Sequence, residues 1–494
     1  MSEIEEKTSS DGDVKTAFVA TSELICEEEP EAHIRKRVLR KLDMRLLPIA
    51  TVLYLLAYLD RTNVGNAKIA GLTADLGLSG VQFNLISALF YIPYCALEVP
   101  ANMGLKYFRP SKWIPFIMTC WGIVVICTAF VKNFSGLLVI RLFLGAAESG
   151  LWPGLSFWLA LWYPREAQAQ RLAIYLAATN LSGAFGGLLA YAIEKMNGIG
   201  DLAGWSWIFL LEGIVTVIIA LGSAFVMPDF PDTATFLKPE EKLWLTEILK
   251  KDTVSSSKAL KQKFLIQALR DPHAYLFAVI DFFLIVPLAS FAVFLPTIIV
   301  GLGYSSVDAQ LLSVPPNIIG SICTVIAGIV SDRAGVRGPF IFASALLSLT
   351  GYAILFTTTT PIVGYIGTLI ASCGLTPASL CTLAWTAGNA GGDVKRGAMI
   401  AIMGTIGNSG SIVASFIYRS ADSPRYRSGH ATNIACSCIT AALSIVGMLE
   451  YARLNRRKRE QCEKEGIGLD RADEFSELGD ESPLYRHVKA VLYL

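Results

Sequence analysis

The chain has 494 residues, 53% of them hydrophobic and only 17% charged, with a net charge of +1 and a mean hydropathy of +0.50. Soluble domains carry about 25% charged residues, so a soluble globule is excluded, and the balanced charge excludes the broad basic field that nucleic-acid binding uses. The apolar residues fall into runs of about 20, the length a helix needs to cross a bilayer.

In chain order, residues 1 to about 30 are polar and acidic, with a Glu27-Glu28-Glu29 cluster. That composition predicts disorder and no cleavable signal peptide, leaving the first apolar helix as the insertion signal. From Glu31 to Arg45, Ile34, Val38 and Leu42 recur at i, i+4 and i+8 among Arg35, Lys36, Arg37, Arg40 and Lys41. The pattern predicts a helix lying on the membrane surface, with a solvated charged helix as the plainer alternative. Twelve spans are expected, at roughly 46–66, 82–105, 113–131, 137–162, 171–194, 205–227, 273–301, 308–331, 339–357, 361–386, 396–418 and 431–452.

A polar segment at 228–272, with Pro228, Pro231 and Pro239, separates the sixth span from the seventh. The expected organisation is therefore an N-terminal tail (1–45), a six-helix bundle (46–227), a linker (228–272), a second six-helix bundle (273–453) and a C-terminal tail (454–494). This is an all-α membrane protein with twelve transmembrane helices in two pseudo-symmetric bundles, the outline of two repeats related by an axis along the membrane normal. Lys and Arg gather on one side, in the first tail, the linker, and Lys106/Arg109/Lys112, Arg333/Arg337 and Lys395/Arg396. That bias predicts both termini in the cytoplasm, and the plasma membrane is the expected location.

Of the ten cysteines, eight sit in or beside apolar runs, where a thiol behaves as a small hydrophobe, so no disulfide framework is expected. The four histidines lie in tails or at span edges, which argues against an intramembrane haem or metal centre. Without a Walker loop or nucleophile–base set, no enzyme and no cofactor are expected.

The informative residues are charges inside spans. In the fourth span Arg141 and Glu148 lie seven residues apart on one stripe, about 10 Å along the axis, with Gly145 between them. Asp60-Arg61 occurs in the first span, at a depth matching Arg141. An intramembrane charge costs at least about 2.5 kcal/mol, so these four must face protein or a wet cavity. An anion that took an arginine would free the acid to bind a proton, and the two ligands would then favour each other. Arginine suits the anion because its planar fork meets a carboxylate bidentately. A static ion-pair network fixing helix packing is the alternative. Asn63, Asn180, Asp281, Asn317, Trp385, Asn389 and Asn408 are further polar or aromatic positions that could line a cavity, or else join helices. Asp281 looks unpaired. Trp385 would either stack on a flat substrate or anchor a span end. Gly183, Gly186 and Gly187 permit close helix approach.

Between spans eight and nine stands Gly328-Ile-Val-Ser-Asp332-Arg333-Ala-Gly335-Val-Arg337-Gly338-Pro339, with a degenerate copy, Gly104 to Lys112, in the first half. Acid and Arg there could form a breakable gate from Asp332, Arg333, Arg337 and Arg109, with ordinary topology-setting charge as the alternative. This loop and the six-plus-six layout resemble the major facilitator superfamily. Tyr58 to Lys68, Glu98 to Asn102, Arg141 to Gly154, Leu383-Ala-Trp385, Lys395-Arg396 and Gly407 through His430 resemble, more narrowly, the fungal allantoate-permease group of the anion:cation symporters. The resemblance implies that Asp60 and Glu148 carry protons while Arg61 and Arg141 handle substrate charge. It also suggests uptake of a small organic anion, such as a carboxylate vitamin or ureide; a monomer is expected. The sequence departs from the group at Ser206, where an Arg is usual, and at Asp281 and Asn317, where aromatics are more frequent. A facilitator or exporter without proton coupling, and a nutrient sensor, are the competing expectations.

Overall fold

The structure, a computed structural model, describes residues 9–164, 167, 171, 174–175, 178–253, 258–391, 393–467 and 479–487, with most of the side chains from His33 onward. Its first half holds α1 (Ser9–Ala67), α2 (Gly80–Tyr107), α3 (Pro110–Thr128), α4 (Phe134–Glu148), α5 (Leu151–Ala160), α6 (Ala178–Glu194) and α7 (Gly204–Val226). The linker folds as α8 (Pro239–Thr253) and α9 (Lys258–Arg270). The second half holds α10 (Pro272–Gly301), α11 (Ser306–Leu312), α12 (Val314–Ala334), α13 (Gly338–Thr357), α14 (Pro361–Gly388), α15 (Asp393–Ile417) and α16 (Arg427–Glu465). Local chemistry sets several of these ends. Ser79 and Gln82 form a reciprocal capping box on α2, Asn133 and Asp271 cap α4 and α10, and Gly335 at φ +65° closes α12.

Among the described residues eleven helices are long and apolar enough to cross a membrane. The fifth expected span begins in residues partly outside those described, and its described portion is α6, with the shorter apolar stretch Leu181–Glu194. Near the N-terminus the structure differs from the sequence expectation. Helix starts at Ser9, inside the stretch expected to be disordered, and runs unbroken into the first span. Val38 and Leu42 are fully buried, and Lys41 is paired with Glu241 of α8 at 2.7 Å. The apolar stripe of residues 31–45 is therefore covered by the protein's own linker rather than laid on a membrane surface. Burial pushes the Glu241 carboxyl up, but the Lys41 ammonium more than offsets this and holds it below its ordinary value.

The same neighbour relations appear in both halves. α3 packs on α7 as α13 packs on α16, and α2 on α4 as α12 on α14. The halves meet through α1 with α10, α2 with α15, and α6 with α12. These meetings are closest at the ends remote from the chain termini. Ring centroids of Phe83 and Phe294 lie 6.2 Å apart, and Lys68 sits over both. Glycine makes the approach feasible. A Cβ on Gly65 would stand 1.9 Å from the Val293 carbonyl oxygen, and one on Gly187 would stand 2.6 Å from that of Gln310. Because the obstacle at Gly65 is backbone, no rotamer change relieves it. Gly65→Ala is expected to disfavour this closed arrangement and raise the reactivity of cysteines introduced along α2 and α10 at that end; unchanged labelling would refute the closure role.

At the opposite end, residues 479–487 form a strap across the second half. Lys395, only 3% exposed, bridges Asp271 at 2.6 Å and Asp480 at 2.7 Å. The Tyr485 hydroxyl donates to the Gly388 carbonyl, while His487 and Asn455 exchange two hydrogen bonds. Burial pushes the Asp271 carboxyl up, but bonds from His273 and Lys395 outweigh it and hold the group well below the carboxylate range. Burial pushes His487 down to about 3, helped by the charges of Lys458, His273 and Lys395 and opposed by Asp271. A histidine depressed on folding contributes stability that is complete above its ordinary value and fades as pH falls. Thermal unfolding in detergent should therefore shift downward as pH drops from about 6.5 toward 4, and His487→Ala should flatten that dependence. An equally steep variant would contradict the assignment.

Candidate functional site

Asp60 and Arg61 are neighbours on α1, and adjacent helical residues point to different faces. Arg61 turns toward the middle of the molecule. Its Nε donates to Glu148 Oε1 at 2.6 Å, and its guanidinium lies 4.6 Å from the Tyr94 ring centre, 5.2 Å from Tyr58 and 5.4 Å from Phe90. Glu148, at the last turn of α4, is fully buried. Arg141, Gly145 and Glu148 all fall on the buried face of α4, as their spacing predicts. A Cβ on Gly145 would stand 2.1 Å from the Phe90 carbonyl oxygen, so glycine there lets α2 and α4 touch.

Asp60 turns the other way. It accepts a hydrogen bond from the indole of Trp121 on α3 and lies within hydrogen-bonding reach of Glu212 on α7. Glu212 in turn accepts from Asn63, one turn beyond Asp60. These bonds leave Asp60 Oδ1 and Glu212 Oε1 buried with no donor among the described residues. A carboxyl pair so placed satisfies both oxygens when one proton lies between them. Sequence reasoning missed Glu212, although the signal was present: it is a lone acid in the otherwise uncharged 23-residue helix α7. Arg141 is buried, within electrostatic reach of both Asp60 and Glu148, and its guanidinium lies 6.0 Å from the Phe209 ring centre. Among the described residues it makes no ion pair within 4.0 Å.

Between the halves lies a cavity of about 200 Å³. From the first half it is lined by Arg61, Thr62 and an aromatic wall that includes Tyr58, Tyr94 and Trp152; from the second, by Asp281, Asn317 and Asn408 among others. Asp60, Arg141 and Glu148 sit behind this lining, so of the four central charges only Arg61 reaches the cavity. Asn63 also stays behind it, holding Glu212 and Asn66. The side chain of Asn180 lies outside the described residues. Trp385 is fully buried against Phe277 and Tyr451, a packing residue of the second half rather than a platform for substrate. Asn389 follows the last turn of α14 and donates to the Trp385 carbonyl, also away from the cavity. Gly183 and Gly187 contact Asn317 and Ser313, and Gly186 contacts Asn63, the close approach their spacing suggested.

The residues expected at a gate do not form one cluster. Arg337 pairs with Asp332 and donates to Ser331 Oγ, all at the junction of α12 and α13. Arg333 and Arg109 are exposed. With Asp332 65% exposed, the pair is a surface contact worth about 1 kcal/mol or less. The nine described cysteines are free, and no cluster of metal-ligating side chains occurs among the described residues.

A uniform set of comparisons matches this architecture. The bacterial homolog of the human lysosomal transporter Spinster, in an inward-facing and unoccupied conformation, superposes with a TM-score of 0.65 at 15% identity, over 81% of this chain and 96% of that one. An uncharacterized transporter of Schizosaccharomyces pombe is 34% identical over 427 residues, 86% of this chain and 85% of its own length. The high-affinity nicotinic acid transporter of Saccharomyces cerevisiae is 32% identical over 467 residues, covering 93% and 86% respectively. The model of the Major Facilitator Superfamily matches residues 50–415. With two matched bundles around a central cavity, this multi-pass membrane protein is a transporter rather than an enzyme, and it belongs to the Major Facilitator Superfamily.

Proposed function

We propose that the chain is a secondary active transporter that carries a small organic anion together with protons by alternating access. The observation that carries this reading is the double engagement of Arg61, which faces the cavity while holding the buried carboxylate of Glu148. An incoming carboxylate must compete with Glu148 for the same guanidinium. A proton on Glu148 removes the competitor, so proton and anion bind better together than apart. The resemblance to the nicotinic acid transporter supports a carboxylate substrate and the narrower anion:cation symporter group, with Arg141 acting on coupling behind the cavity. The charge bias of the loops supports cytoplasmic termini, and the reading is completed by uptake at the plasma membrane through a monomer.

The test is uptake by cells expressing the protein, screened over small carboxylates beginning with nicotinic acid, at acid and neutral pH. Accumulation above the external level, greater in acid, is expected. Equilibration without accumulation would make the protein a facilitator, and binding without uptake would make it a sensor. Glu212 enters the same reading. Glu212→Gln places a permanent amide donor beside Asp60, so this pair no longer needs a proton, and the pH dependence of uptake should weaken. An unchanged pH profile would leave Glu212 a packing residue.

A further inference from the structure

In the first half Arg61 is matched by Glu148, and Arg141 lies within electrostatic reach of Asp60 and Glu148. Glu98 on α2 is also buried, without an ion pair among the described residues, but it lies outside the cavity lining. Asp281 is different. It projects from α10 in the second half, is 6% exposed, and lines the cavity. Among the described residues it makes no ion pair, and the only other ionic side chain lining the cavity is Arg61 of the opposite half. The protein has made room for it: a Cβ on Gly407 would stand 2.0 Å from Asp281 Oδ2, so α15 passes the carboxylate with bare backbone. Asn408 follows in the lining, and Asn317 adds an amide from α12.

A carboxylate held unpaired at membrane depth is costly, and it repels a simple anion drawn to Arg61. It becomes favourable when the ligand supplies the missing cation. We propose that the cavity takes an amphoteric molecule, with a carboxylate on Arg61 and a protonated or N–H-bearing nitrogen on Asp281. The aromatic wall of Tyr58, Tyr94 and Trp152 covers the apolar body between these ends. The inference rests on the reading of Arg61 as the anion-binding group and adds the second pole, one from each half. A ligand that joins the two poles draws the halves together, which is how binding would promote the change of access.

Matched probes of one shape test it. Para-(aminomethyl)benzoate and para-ethylbenzoate differ only in an ammonium for a methyl group, as do gamma-aminobutyrate and pentanoate. Binding to purified full-length protein should favour the amino member of at least one pair by about tenfold or more, as expected of a site built to satisfy a polar group. Asp281→Asn should bring that preference near unity while retaining the plain carboxylate. Equal or better binding of the plain acids by the unaltered protein would overturn the amphoteric class and leave the anion reading intact. Binding of no member of either pair would overturn both. Since the unaltered protein already gives the deciding ratio, the outcome does not depend on the variant folding.

Discussion

Glu148→Gln is expected to abolish uphill accumulation of a carboxylate while preserving its exchange across the membrane. The substitution keeps the shape of the side chain but removes both the charge that holds Arg61 and the site that takes the proton. Arg61 is then available to anion at every pH, so binding should lose its pH dependence and the acid-driven gradient should no longer be used. The Arg61–Glu148 bond is 2.6 Å long with the carboxylate fully buried, and such a charge-assisted bond is worth well over a neutral one. Proteoliposomes with and without an imposed pH gradient separate the two activities. Accumulation at the unaltered level would remove Glu148 from coupling.

The second large effect concerns the two arginines. Arg61→Lys should weaken carboxylate binding by at least about tenfold, or roughly 1.4 kcal/mol. A planar fork stacked among Tyr58, Phe90 and Tyr94 is replaced by a point charge that cannot serve Glu148 and an anion in turn. Arg141→Lys, behind the lining, should leave binding within a few-fold but slow proton-driven uptake, because its charge balances Asp60 and Glu148 rather than substrate. Binding measurements on both variants beside uptake rates decide between them. A larger binding loss at Arg141 than at Arg61 would reverse the assignment.

Much of this was legible in residue patterns. Runs of about twenty apolar residues and the proline-marked linker foretold the helices and the two halves, because the membrane constrains length and polarity so tightly. The i, i+4, i+7 spacing of Arg141, Gly145 and Glu148 foretold their common buried face. What spacing could not supply was partner choice between helices. Asp60 and Arg61 are consecutive, yet they belong to separate groups, one facing α3 and α7 and the other the cavity. The resemblance gives Arg141 a share of the substrate charge beside Arg61, but α4 turns it behind the lining. Trp385 shows the limit from another side: a tryptophan near a span end reads equally as core, anchor or platform, and only packing against Phe277 and Tyr451 separates these. The strap at 479–487 had no periodic signature, since isolated contacts such as Lys395 to Asp480 hold it.

The exchange of one partner for another at Arg61 has an electrical consequence. If a simple monoanion displaces a Glu148 that takes one proton, the site carries the same net charge empty and loaded. Transport of such a solute would then be indifferent to membrane voltage, even though about 2.3 kcal/mol per elementary charge is available at 100 mV. If the solute also brings a cation to Asp281, the loaded site is one unit more positive than the empty one, and each cycle moves one positive charge inward. Current recorded during uptake would therefore report the chemical character of the cargo.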